Sequence, residues 1–237
     1  MSTVGARSPE PVADGAQPAV PAWRRPTSGE SRWPSVAAVL VAVVLQLVLP
    51  DRLSLQPRWL LPAIEVVLLL ALIGANPVRI ERNHPALRGG GLGLVAVMTV
   101  ANAASAALLI DHLLSGTAGK SAGTLIGSGA AIYATNIVAF GLWYWELDRG
   151  GPMARSQGNR QHTDFLFAQM TTPHVAPPDW EPAFVDSLYV SFTDATAFSP
   201  TDTLPLSRWA KLLMLAQSAI SLATVALVVA RAVNILP

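Results

Sequence analysis

Long apolar runs alternate with short polar links along most of the chain. The runs lie at about 35–50, 59–75, 91–114, 121–145 and 207–234. A helix needs about 20 predominantly apolar residues to cross a bilayer, and these runs come close to that length or exceed it. The pattern therefore predicts an all-α, polytopic membrane helix bundle with five clear transmembrane helices.

One further segment, 184–200, is only moderately apolar. It is short and carries acidic and hydroxyl side chains, among them Asp194 and Thr196. Such a segment either makes a short sixth crossing or forms a re-entrant helix that returns to its own side. The sequence leaves both alternatives open.

The polar parts of the chain divide it into regions. Residues 1–34 are rich in proline and lack an apolar period, which predicts a disordered cytoplasmic tail. Residues 35–146 form the predicted four-span bundle, 147–183 a polar loop, and 184–237 the ambiguous short helix with the last transmembrane helix. The apolar island at 165–168 inside the loop is too short to cross, so we expect it to pack on the membrane face.

The composition supports a membrane class and excludes others. Of the 237 residues, 51% are hydrophobic and 13% are charged, and the mean hydropathy is +0.42. A soluble domain has roughly 25% charged residues. The net charge of +1 argues against nucleic acid and leaves the lipid bilayer as the expected partner. The absence of cysteine excludes disulfides and thiolate chemistry.

Basic residues in short loops indicate the orientation. With a cytoplasmic N-terminus and a crossing at 184–200, eleven of the 16 Lys and Arg residues fall inside and five outside. Positive charge concentrates on the cytoplasmic side of membrane proteins. We therefore expect a plasma-membrane protein with its N-terminus inside. A re-entrant 184–200 would place the C-terminus outside.

Glu65 is the most informative acid, because it lies inside the second predicted span. Intramembrane acids are rare and face a partner or a watery cavity. One interpretation pairs Glu65 with Arg208 or Lys211 as a structural ion pair. The other joins Glu65 and Asp111 in a cation or proton site.

Other polar residues in the spans also need partners. Asn102 and Asn136 lie near the middles of consecutive spans, where they either hydrogen-bond to each other and hold the two helices together or contribute to a transport site. Gln217, Ser221 and Thr224 share one face of the last helix and either hold the bundle together or line a pore.

The fourth span contains a row of small residues, Gly123, Gly127 and Ala131. A spacing of four places them on one helix face, where another helix backbone can approach closely. We expect this face to pack against a neighbouring helix, with homodimerisation as the alternative.

The sequence offers little chemistry of other kinds. Its four histidines are scattered without metal-ligand spacing, and it has neither a nucleophile elbow nor a zinc-protease motif. We therefore expect neither an enzyme nor a bound metal or cofactor.

The segment 186–205 resembles the pore region of two-span potassium channels. Tyr189, Ser191, Phe192 and Thr196 match the pore helix, and Asp202 and Pro205 match the positions after the filter. The filter glycines are replaced by Ser199 and Thr201, and the filter aromatic residue by Pro200. These residues lack the dihedral freedom that a potassium filter requires.

Most of the chain also resembles a family of uncharacterised bacterial integral-membrane proteins. Its pattern is matched by Tyr189, Phe192, Phe198 and Asp202, followed by a basic helix start at 208–211.

The channel resemblance implies a channel-like or transport-related membrane protein of unknown substrate, in which a homo-oligomer handles a small cation. The resemblance to the uncharacterised family implies a membrane architecture and no particular reaction. The alternative is a non-transporting structural or interaction protein with a decayed pore loop. The pore or ion-site candidates are Glu65, Asp111, Asp194, Thr196, Ser199, Asp202, Gln217, Ser221 and Thr224.

Overall fold

The computed structural model describes residues 20–75, 85–117, 121–158, 162–197 and 202–235, and most of the chain is helical. The longer helices are α1 (Trp33–Val48), α2 (Leu60–Ala75), α3 (Pro85–Leu114), α4 (Ala122–Leu147), α7 (Phe184–Ala197) and α8 (Arg208–Ile235). Two short helices, α5 (Pro152–Ser156) and α6 (Ala168–Thr171), and a pair of two-residue strands, β1 (Phe165–Leu166) and β2 (Leu204–Pro205), complete the described elements. Three 3-10 turns cover Ala22–Arg24, Asp51–Leu53 and Asp148–Gly150.

Three of these helices, α3, α4 and α8, are long and apolar enough to cross a membrane. Helices α1 and α2 are apolar but have 16 residues each, which corresponds to about 24 Å at 1.5 Å per residue. The predicted all-α class is therefore confirmed, and the described residues contain three helices that could cross a membrane by their length and composition, not the five that the apolar runs predicted.

The long helices alternate in direction. We name the two ends of the bundle from α4: the cap end, where α4 finishes at Leu147, and the far end, where it begins at Ala122. At the cap end, Arg32 just before α1 donates a hydrogen bond to the carbonyl of Leu72 near the end of α2. Gly91 near the start of α3 lies against Glu146. Helices α1 and α3 thus start at the cap end, and α2 and α4 finish there.

Helix α7 enters the bundle from the cap end and runs antiparallel to α4. The ring of Phe184 packs on Trp145 with 5.8 Å between centroids, Leu188 touches Gly141, and the Ser191 hydroxyl donates to the carbonyl of Ile137 at 2.7 Å. Successive turns of α7 therefore contact successively earlier turns of α4.

After α7 the chain returns to the cap end. Strand β2 pairs antiparallel with β1, with Pro205 opposite Phe165, and the Leu206 N–H donates to the carbonyl of Asp164 at 2.8 Å. Asp164 in turn is bonded to the turn that follows α4: its N–H donates to Asp148, and its carboxylate accepts from the N–H of Arg149. Both flanks of α7 thus lie at one end of the bundle.

Helix α8 then runs from the cap end to the far end. The Trp209 indole N–H in its first turn donates to Asp164 at 2.9 Å. Further along, Val228 packs on Gly129 near the start of α4. Helices α3, α4 and α8 therefore run between the two ends of the bundle, the shorter α1 and α2 lie beside them, and α7 packs against both α4 and α8.

The turn after α4 contains three consecutive residues with a positive φ, Arg149, Gly150 and Gly151. Gly151 has a φ of +96°, and a Cβ there would lie 2.8 Å from the carbonyl oxygen of Glu146. Arg149 has a φ of 52°, which is uncommon for a residue with a side chain. Its guanidinium bonds to Asp148 and to the carbonyl of Trp23, and these contacts hold the unusual conformation.

Residues 20–34, which belong to the stretch predicted to be a disordered tail, pack against the cap end. Glu30 is buried, accepts a hydrogen bond from Arg155 at 2.8 Å, and accepts another from the indole of Trp145. The segment is ordered because a buried ion pair fixes it to the cap end. Residues 1–19 lie outside the described part of the chain.

The predicted polar loop at 147–183 contains a buried apolar layer. Phe165 and Phe167 from the apolar island are almost fully buried and pack with Tyr144, Val190 and Met214 from the three neighbouring helices. The island therefore closes the cap end of the α4–α7–α8 group.

The close helix contacts use different glycines from those predicted. Cβ atoms at Gly123 and Gly127 would touch no neighbouring helix among the described residues, whereas one at Gly129 would lie 2.8 Å from Val228. Gly141 similarly approaches Leu188. Ala131 is buried, so only this last member of the predicted row packs inside the chain. The Gly123–Gly127 face is exposed because α8 packs on the opposite face of α4, at Gly129.

Candidate functional site: a polar cluster between α4, α7 and α8

Three buried side chains link the helices α4, α7 and α8. The Tyr144 hydroxyl donates to Oε1 of Gln217 at 2.6 Å, and Nε2 of Gln217 donates to the hydroxyl and carbonyl of Ser191 at 2.7 and 2.8 Å. All three are at most 1% exposed. Each functional group of Gln217 is thus matched by a group from a different helix.

The polar cluster extends one turn along α8. Nδ2 of Asn136 donates to the hydroxyl of Ser221 at 3.1 Å. The predicted bond between Asn136 and Asn102 is therefore wrong. Asn136 faces α8 instead of α3, because α4 turns different faces to its two neighbours.

Asp194 is the acid of this cluster. It is 3% exposed and lies one turn beyond Ser191 on α7. Its carbonyl lies 3.5 Å from the Ser218 hydroxyl, and its carboxyl lies near that hydroxyl and within electrostatic range of Tyr144. Oδ2 of Asp194 has no hydrogen-bond partner among the described residues.

On the long helices α3, α4 and α8, three further buried oxygens have no hydrogen-bond partner among the described residues: Oδ1 of Asn102, Oγ1 of Thr135 and Oγ1 of Thr224. A buried polar group without a hydrogen bond costs about 1–3 kcal/mol in proteins, and a buried carboxylate costs more. A ligand or a proton at Asp194 would reduce this cost. The cluster can therefore bind a species that carries positive charge or donates hydrogen bonds.

Glu65 belongs to a separate site between α1 and α2. It is fully buried, and Nε2 of Gln46 lies 3.1 Å from each of its carboxylate oxygens. The predicted ion pair with Arg208 or Lys211 is wrong, because both residues lie in the first turn of α8 at the cap end. Sequence reasoning placed them on the opposite side by treating 184–200 as a crossing.

Glu65 does not meet Asp111 either. Since Leu72 packs on Gly90 in the antiparallel pair α2 and α3, Glu65 lies level with about residue 97. Asp111 is then about 21 Å further along the helix axis. It is exposed near the end of α3.

The remaining predicted residues have different positions. Thr196 is exposed and its hydroxyl donates to the carbonyl of Phe192, while Asp202 is exposed before β2. Ser199 lies outside the described residues. The stripe formed by Gln217, Ser221 and Thr224 is buried within the single chain.

Sequence reasoning missed Tyr144, which lies between Trp143 and Trp145 at the end of the fourth apolar run. Tyr144 and Trp145 are buried, and Trp143 donates to the Thr99 hydroxyl at 2.9 Å. Their position at the end of an apolar run is equally typical of lipid-facing and inward-facing rings. The tertiary contacts distinguish the two cases.

A second missed group lies at the cap end. Asp148, Arg149 and Arg155 are buried although they fall in a polar stretch. Burial lowers the pKa of Arg32, which is close to the same group, and the nearby Glu146 opposes that shift. The polar composition of 147–183 suggested a solvated loop, so these buried charges were not predicted.

Within the described ranges, no group of three His, Asp or Glu side chains is arranged to hold a metal ion. The helices and their buried polar groups define a helical protein with membrane-spanning candidates. Comparison with protein families, with curated proteins and with solved structures finds no match to this chain.

Proposed function

We propose that this chain is a transport-related membrane protein with five crossings and a re-entrant α7, and that Asp194 binds a proton or a small cation on the transport path. The observation that carries the proposal is a buried acid near the inner end of a short helix whose two flanking segments lie at the same end of the bundle. Asp194 lies ten residues past Phe184, which is about 15 Å along α7. The hydrocarbon core is about 30 Å thick, so Asp194 is near its centre.

The order of elements supports a pore-loop origin. A long helix, a short helix that stops inside the bundle, a return to the same end and a second long helix follow one another in α4, α7, β2 and α8. This is the order of outer helix, pore helix and inner helix implied by the channel resemblance. Helix ends inside membranes are sites where ions bind, because the final carbonyls are free to coordinate cations.

A re-entrant α7 also agrees better with the positive-inside rule than a crossing α7 does. If the cap end is cytoplasmic, Arg208 and Lys211 move inside and Arg231 moves outside. Twelve of the 16 basic residues then lie inside and four outside, compared with eleven and five for a crossing α7. The positive-inside rule therefore favours a re-entrant α7, a cytoplasmic N-terminus and an external C-terminus.

Ion flux from the purified protein in liposomes tests this proposal. We expect a proton, sodium or potassium flux that Asp194→Asn abolishes and that the matched variant Asp111→Asn leaves unchanged. Asp111 is exposed and remote from the cluster, whereas Asn at 194 keeps the size of the side chain and removes its charge. Absence of flux for all three ions from correctly folded protein would overturn the proposal.

A second function is favoured by the hydrogen bonds of Gln217. Both ends of its amide are satisfied inside one chain, as expected for a polar group that holds helices together. Under this alternative the chain is a structural or interaction membrane protein with a decayed pore loop. Folded protein without flux would support it.

A further inference from the structure

We propose that Glu65 and Gln46 form a reversible proton-binding site, separate from the Asp194 cluster and independent of the proposed transport function. Glu65 is fully buried between α2 and its neighbours, and its carboxyl group meets the amide of Gln46.

Within the described ranges, no Lys, Arg or His side chain forms an ion pair with Glu65. In the link between α1 and α2, Arg58 pairs with Asp51, and Arg52 makes a contact of its own. Helix α1 contains no ionisable residue, and α2 contains none besides Glu65. Helix α3, which also packs on α2, carries Arg88 near its start, and Asp111 and His112 near its end. At the register set by Leu72 and Gly90, Arg88 and Asp111 are about 14 and about 21 Å from the level of Glu65.

An isolated carboxylate in an apolar interior is strongly disfavoured, so the neutral acid is the stable form at rest. The Gln46 side chain can hydrogen-bond to Glu65 in both its ionised and its neutral form. With its N–H toward Glu65 the amide donates to the carboxylate, and after a 180° rotation its oxygen accepts the O–H of the acid. A partner that suits both states permits a proton to leave and return.

The site lies close to the far end of the bundle. Glu65 is five residues past the start of α2, which is about 8 Å, and Gln46 is two residues before the end of α1. Protons therefore exchange with the far side, opposite the cap end where α7 enters.

Labelling with a hydrophobic carbodiimide tests the proposal, since this probe reacts with protonated carboxyl groups inside membranes. The full-length protein in liposomes is treated over a range of pH, and the adduct is located by peptide mass spectrometry. We expect an adduct at Glu65 that declines as the pH rises. It should be absent from Glu65→Gln and unchanged in Asp111→Asn.

The variant Gln46→Leu separates proton binding from a structural role. Because it removes the donor that stabilises the ionised form, labelling of Glu65 should persist to higher pH than in the unmodified protein. This variant also provides the readout if Glu65→Gln does not fold.

Three results would overturn the proposal. The first is no adduct at Glu65 in folded protein whose denatured form is labelled there. The second is labelling that does not change with pH, which would mean a permanently neutral acid. The third is protection by sodium at constant pH, which would indicate a metal cation instead of a proton. None of these outcomes depends on flux through the Asp194 cluster.

Discussion

The guanidinium of Arg155 donates a hydrogen bond to the carboxylate of Glu30 at 2.8 Å, although the two residues are 125 positions apart. Arg155 also donates to the carbonyls of Trp145 and Asp148 at the end of α4. Both partners of the ion pair are less than a tenth exposed. This pair fixes the segment before α1 to the segment after α4, and so closes the cap end.

Removal of one charge from this pair should destabilise the folded protein. We expect Glu30→Gln to lower the free energy of unfolding by about 3–5 kcal/mol, because it leaves Arg155 charged and buried. Denaturant unfolding in detergent, followed by tryptophan fluorescence, measures the change.

The matched control for Glu30 is the exposed pair of Asp51 and Arg58, whose side chains are 71% and 48% exposed. Asp51→Asn should cost less than about 1 kcal/mol, since solvent screens the charges of a surface pair. Equal losses from Glu30→Gln and Asp51→Asn would contradict the assigned role of the cap pair.

Two glycines of α4, Gly129 and Gly127, should respond differently to alanine. Gly129→Ala brings a methyl group to within 2.8 Å of the branched side chain of Val228, so we expect destabilisation by about 1–3 kcal/mol. Gly127→Ala meets no described side chain and should gain up to about 1 kcal/mol from helix propensity. Thermal unfolding of the two variants, compared with the unmodified protein, checks both signs.

The same Gly127→Ala variant examines contacts between copies of the chain. The exposed Gly123–Gly127 face is available to a second copy, and homo-oligomerisation through it stays a prediction. A change in the oligomer population by cross-linking, without a change in unfolding of the monomer, would indicate such a contact.

The re-entrant course of α7 can be tested by single cysteines, because the chain contains no natural cysteine. Cysteines at the exposed positions Val175 and Leu206 should both react with an impermeant maleimide from the same side of the membrane. A cysteine at Leu55, in the exposed link between α1 and α2, should react from the other side. Opposite accessibility of 175 and 206 would mean that α7 crosses.

The hydroxyl of Tyr144 should contribute measurably to stability. Tyr144→Phe leaves Oε1 of Gln217 buried without its donor, so we expect a loss of about 1–3 kcal/mol. Tyr133→Phe, on a half-buried residue of the same helix, serves as the control and should change stability by less than about 0.5 kcal/mol. If both variants unfold alike, the Tyr144–Gln217 bond does not stabilise the cluster.

The amino-acid sequence by itself determined which segments become long helices. Continuous apolar runs in α3, α4 and α8 leave no alternative that satisfies their backbone in an apolar environment. It also identified individual residues that needed partners, including Glu65, Asn136, Asp194 and Gln217, because polar groups are conspicuous in apolar runs.

Only the tertiary structure shows which residues are those partners. The Asn136 amide bonds to Ser221, the amide of Gln46 meets Glu65, and Gln217 joins Tyr144 to Ser191. Helical periodicity gives the face on which a residue lies, but the rotation and register of each helix depend on close contacts such as Gly129 with Val228.

The path of α7 also could not be predicted from the sequence. Its 14 residues are compatible with a short crossing or a return, and the distinction rests on contacts between distant segments. Asp164 bonds to Arg149 after α4, to Leu206 after β2 and to Trp209 in α8. These bonds hold the segment after α7 at the same end of the bundle as the segment before it. Hydrogen bonds that join residues so far apart form only once the helices have packed, so composition and periodicity do not predict them.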